Sequence, residues 1–105
     1  MSIHPEQATP LELFRQELED QVVILNQALL DLEADPANAD GFDRLMRAAH
    51  SVKGAARIVG LHDLVALAHA FEDTLVAVRD GRLPLSQALL SSLFAIVDWL
   101  ETIHA

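Results

Sequence analysis

Apolar residues recur at helical spacing, mostly three or four apart, in four stretches of this chain, with Pro or Gly between the stretches. That period belongs to an α-helix with one buried stripe; a half-buried strand would alternate every second residue. The first stretch opens on Thr9-Pro10-Leu11-Glu12. Thr9 reads as an N-cap, Pro10 as the first helical residue and Glu12 as the partner that closes a capping box. Its stripe is Leu11, Phe14, Leu18, Val22, Leu25, Leu29 and Leu32, and Asp35-Pro36 ends it. A second helix is predicted from near Asp40 to Gly60, with Phe42, Leu45, Ala49, Val52, Ala56 and Val59 inward. A third runs from about His62 to Asp80 on Leu64, Val65, Ala68, Phe71, Leu75 and Val78, with Gly81 capping its C-terminus. Ser86 caps a fourth, which buries Leu89, Leu93, Ile96, Val97, Leu100 and Ile103. Short connections make consecutive helices antiparallel neighbours. The expected fold is therefore all-α, an antiparallel up-down four-helix bundle over residues 9–105, with residues 1–8 as a flexible polar lead.

Composition agrees where it can decide. Eighteen Leu and 16 Ala against no Tyr favour helices over sheets. A length of 105 residues leaves room for one domain. The absence of Cys excludes a disulfide framework and a thiol nucleophile. A formal charge of −9 repels phosphate backbones and anionic lipid, so neither nucleic acid nor a membrane surface is an expected partner. The opening MSIHPEQATP has no signal-peptide pattern, and the longest uncharged run, Leu83 to Val97, is too short and too polar to span a bilayer. A cytoplasmic location is expected.

One glycine is out of place. Gly54 falls in the middle of the second helix, where Gly costs about 1 kcal/mol relative to Ala. A close crossing inside the bundle would explain it, but its angular position argues against that. At about 100° per residue, Gly54 lies roughly 40° from His50, Arg57 roughly 20°, and Arg47 and Lys53 roughly 60° to either side. The apolar stripe is centred about 140° away. His50 thus stands on the wet face, among cations and beside a bare backbone. Four of the seven basic residues (Arg44, Arg47, Lys53 and Arg57) lie between 44 and 57, and no acid occurs from 44 to 62. A neutral nucleophile inside positive charge suits a group that becomes anionic, such as a phosphoryl.

The run Arg47-Ala48-Ala49-His50-Ser51-Val52-Lys53-Gly54-Ala55-Ala56, with Gly60, His69-Ala70-Phe71-Glu72 and Arg79-Asp80-Gly81, resembles the histidine phosphotransfer domain signature. The likeness covers about residues 11–103 and is closest to the N-terminal domain of chemotaxis-type histidine kinases. It implies a phosphocarrier. His50 would take the phosphoryl on Nε2 from a kinase ATP-binding module and pass it to an aspartate of a receiver domain. Glu72 would accept a hydrogen bond from Nδ1–H, Lys53 would neutralise phosphoryl oxygens, and His69 would sit at the edge of the same network. Gly54 would leave room for the receiver to dock; Arg47 and Arg57 flank it as candidate docking residues, and for Arg57 the resemblance does not decide between docking and phosphoryl stabilisation. No metal site is expected in the chain, and Mg²⁺ and ATP would come with the kinase or receiver. With no phosphate-binding loop, the chain would be substrate and relay and not a kinase by itself. Met1 lying close to the domain suggests the first piece of a longer kinase, with a free-standing carrier as the alternative.

Two departures from that pattern stand out. Arg57 occupies a position where the family usually has a small residue, and Met46 replaces an aromatic. Without the resemblance, Glu72 reads as a solvated helix charge and His69 as a boundary residue. Glu101-x-x-His104 has di-iron spacing but no second copy, so it reads as a surface turn. The competing functional reading is a non-catalytic helical module that docks a partner helix, with His50 incidental.

Overall fold

The computed structural model describes residues 8–104, so most of the lead expected over residues 1–8, His4 included, lies outside the described residues. Four helices follow in order: α1 Pro10–Ala34, α2 Ala39–Ile58, α3 His62–Arg79 and α4 Gln87–His104. The ends form where the local chemistry dictates. Thr9 Oγ1 accepts from the Glu12 backbone N–H at 3.1 Å while the Glu12 carboxylate accepts from the Thr9 N–H at 3.0 Å, a reciprocal capping box. Gly60 and Gly81 take φ of 73° and 76°, left-handed values that let the chain leave α2 and α3 without strain. Ser86 Oγ accepts from Leu89 N–H at 3.1 Å and starts α4.

The helices form a four-helix bundle. α1 packs against α2 and α4, and α2 against α3. The α3–α4 seam is looser, with a cavity of about 10 Å³ among residues that include Leu67, Phe71, Ile96 and Leu100. The core is built from one stripe of each helix, and Leu18, Leu25, Leu29, Leu32, Leu45, Leu75 and Val97 are its largest fully buried side chains. No described helix is long and apolar enough to cross a membrane.

The expected boundaries shift slightly. α2 begins at Ala39, beside the expected Asp40, where Asn38 caps it: Asn38 Oδ1 accepts from Gly41 N–H at 2.8 Å. Leu11, placed in the buried stripe by its spacing, is 53% exposed. The α1–α4 hydrogen bonds, Gln87 to Glu33 and Asn26 to Glu101, set an antiparallel register in which α4 runs out near the middle of α1. Leu11 therefore has no described helix beside it on that side. Leu90, and not Leu89, is the buried residue at the start of α4. It lies within about 60° of both Gln87 and Glu101 around the helix, on the side that meets α1, whereas Leu89 faces the looser seam.

Candidate functional site

Residues of α2 and α3 meet around one carboxylate. Glu72 projects from α3 and is mostly covered, its side chain 15% exposed; Lys53 of α2 is 11% exposed. Lys53 Nζ donates to Glu72 Oε2 at 3.2 Å and lies 3.1 Å from Oε1. His50 Nδ1 is 3.5 Å from the same Oε1, and the imidazole is 72% exposed. Oε1 is itself buried and accepts no hydrogen bond from the described residues. Its nearest cation is the Lys53 ammonium, and an Nδ1–H on His50 is the other donor within reach of it. At 3.5 Å this contact is longer than a hydrogen bond, as such contacts often are before a substrate is bound.

This geometry fixes what the imidazole can do. A proton held on Nδ1 by the carboxylate leaves the Nε2 lone pair available for attack. Met46, Arg47, Ser51, His50 and Glu72 line an open cleft beside the ring. Gly54, one turn along α2, would meet nothing within 4 Å if it carried a Cβ. Internal packing thus gives no reason for a glycine there, and the close-crossing explanation fails on geometry. Arg47 and Arg57 are exposed, and neither forms an ion pair among the described residues.

Arg44, the fourth base of the cluster, is elsewhere. It pairs with Asp31 of α1 and, at 2.9 Å, with Asp40. The hydrogen bond from Arg44 holds the Asp31 carboxyl below the usual range, and the two carboxylates, Asp31 first, hold the guanidinium above its own. The Asp40–Arg44 spacing of four residues was a readable signal for half of this clasp. Asp31 could be found only from the way α1 and α2 pack.

His69 forms no hydrogen bond or ion pair with Glu72 or His50 among the described residues. Its Nε2 lies 3.3 Å from Asp73 Oδ2 on the exposed side of α3. The i, i+3 spacing of His69 and Glu72 puts them near one face, but Asp73 at i+4 draws the ring outward. His62 is exposed at the start of α3. Glu101 accepts from Asn26 at 2.8 Å and so ties α4 to α1. The described residues contain no cluster of His, Cys, Asp and Glu fit to hold a metal ion.

Comparison with known proteins places these residues in context. The family model described as the Hpt domain matches residues 11–105. Chemotaxis protein CheA of Halobacterium salinarum is 41% identical over 91 residues, covering 87% of this chain and 14% of that protein. CheA of Rhizobium meliloti is 40% identical over 89 residues, covering 85% of this chain and 12% of that protein. The sensor histidine kinase CheAY of Helicobacter pylori is 30% identical over 79 residues, 75% of this chain and 10% of that protein. The chain thus spans about a seventh or less of the length of these relatives. No solved structure matches it.

Proposed function

Because the chain belongs to the Hpt domain family, we propose that it is a phosphocarrier in which His50 Nε2 is the atom that carries the phosphoryl group. The observation that carries this reading is the buried Glu72 Oε1, which lies between the Lys53 ammonium and the Nδ1 of an exposed imidazole. In the loading step Nε2 attacks the terminal phosphorus of a nucleotide held by a kinase domain. The Nε2–P bond forms as the bond to the bridging oxygen breaks, and the Nδ1 proton stays on the Glu72 side. Positive charge spread over the ring is then offset by the carboxylate. In the second step a receiver's aspartate oxygen attacks phosphorus, the N–P bond breaks, and the electron pair returns to Nε2. Lys53 is close enough to move between Glu72 and the phosphoryl oxygens, and Arg47 flanks the same cleft. Mg²⁺ and ATP belong to the partners in this scheme; the ATP would supply the phosphoryl group and the cation would offset its negative charge.

The partners we assign are therefore a histidine kinase catalytic domain and a receiver domain, meeting in the cytoplasm. Gly54 gives the receiver close access to the helix beside His50. The test is phosphotransfer from a CheA-type kinase module to this chain. The expected label is acid-labile and base-stable and disappears in His50→Gln, whose melting temperature stays near wild type because the ring leaves no core cavity. Undiminished label on His50→Gln would refute the assignment.

A further inference from the structure

The outward face of α2 continues past the site in a form that phosphoryl chemistry does not require. Positions 50, 54, 57 and 58 fall at i, i+4, i+7 and i+8, so they form one stripe on the wet side of the helix. Arg57 lies about 10.5 Å along the axis from His50. It is an arginine without a carboxylate in a chain where acids outnumber bases 16 to 7. Arg44, Lys53, Arg79 and Arg82 each pair with at least one, whereas Arg57, like Arg47 beside His50, pairs with none among the described residues. Ile58 beside it is 82% exposed, the most exposed large apolar side chain described. It borders a groove between the start of α1 and the end of α2, where Pro10, Leu13, Ala55 and Val59 supply the apolar wall. A free cation, a bare apolar side chain and a glycine with open space thus lie in line with the nucleophile.

We propose that Arg57 and Ile58 form a selectivity contact for the acceptor domain, separate from the contacts used in loading. The inference rests on the phosphocarrier reading. An aspartate carboxylate is one methylene from its own backbone, so an acceptor must bring its main chain nearly against α2. Its surface then meets the residues beyond Gly54. A nucleotide reaches His50 on an extended triphosphate and does not need the stripe. An acceptor whose centre is an aspartate, with further carboxylates to hold a divalent cation, is negative around that centre and complements Arg57. Ile58 and the groove supply the apolar part of the footprint. Arg57 governs the encounter rate and which acceptor is favoured; it does not touch the reacting atoms.

The experiment loads His50 with potassium phosphoramidate, a donor too small to dock, and then drains the phosphohistidine with a panel of purified receiver domains. The receiver fastest with wild type is carried forward at low and high salt. Arg57→Ala is expected to slow transfer about tenfold at low salt and much less at high salt, Arg57→Glu still more, and Arg57→Lys only slightly. Ile58→Ser is expected to slow it severalfold at every salt concentration. Loading from a CheA-type kinase module, measured in parallel, should fall far less than transfer does. Wild-type transfer by Arg57→Glu, or equal losses in kinase loading and receiver transfer, would overturn the proposal. If no receiver drains the wild-type protein, the phosphocarrier reading itself fails, and this inference with it.

Discussion

Helix α2 carries an acid–base cluster on each flank, and the two are built on opposite plans. Toward α1, Arg44 bonds Asp31 and Asp40, so that one guanidinium serves two carboxylates. Toward α3, one carboxylate serves two donors, and one of its buried oxygens accepts no hydrogen bond from the described residues. The first cluster is saturated and shifts its groups toward permanent charge. In the second, the carboxylate lies between a mostly covered ammonium and an exposed ring, and the task we assign it is to hold that ring's Nδ1 proton. An ion pair between helices holds them together; a carboxylate shared with an exposed imidazole can also serve chemistry.

The largest effect separating the two plans should come from Glu72→Gln. The amide can still accept a hydrogen bond but offers no charge to a ring that becomes positive on phosphorylation. The rate of phosphoryl acceptance should fall about ten- to a hundredfold, the range typical for an orienting carboxylate. The apparent affinity for the kinase should change little, which a kcat and KM split would show. Helicity should persist, since Lys53 can extend its ammonium to solvent. An unchanged rate would reduce Glu72 to a surface charge.

Asp31→Asn should give the converse result, a smaller effect on stability and none on phosphotransfer. Its sign with pH follows from the lowered carboxyl. The stabilisation is fully present above the unfolded value of about 3.9 and is lost as pH falls through the lower folded value. Wild type should therefore lose melting temperature faster than Asp31→Asn between about pH 5 and pH 2. Parallel curves would show that the clasp contributes nothing. Raising salt should weaken it as well, because both partners reach solvent.

Most of the fold was legible because periodicity and end signals agreed. Thr9, Pro36, Gly60, Gly81 and Ser86 mark the boundaries at or beside the residues where helices start and stop. What the pattern could not give was the vertical register between helices, which exposes Leu11 and exchanges Leu89 for Leu90. The exposed face of α2 was legible too, since angle alone separates His50 from the core stripe. The pairing across helices was not. Nothing along the chain says that Asp31 takes Arg44 away from the cationic cluster. That pair depends on side chains of two helices meeting in space, whereas the i, i+4 rule supplies only partners on the same helix, such as Asp40 for Arg44 and Asp73 for His69.

Gly54→Ala should give the smallest effect. Its Cβ would stand in open space, so the domain should gain up to about 1 kcal/mol from helix propensity. Denaturant melts measure this directly. A clear loss of stability would mean that the glycine serves packing, contrary to the geometry. Bulkier residues at the same position should leave stability near wild type and slow transfer to a receiver.

The central claim is that Glu72 fixes the proton of His50 on Nδ1 and leaves Nε2 to carry the phosphoryl. Nitrogen-15 and phosphorus-31 NMR of the ring, before and after loading with phosphoramidate, tests it most directly. The account predicts a neutral ring protonated at Nδ1 and a single phosphorus coupled to Nε2 of His50. It also predicts that in Glu72→Gln the neutral ring loses its preference for that tautomer. Phosphorus on Nδ1, or a wild-type ring protonated mainly at Nε2, would contradict it.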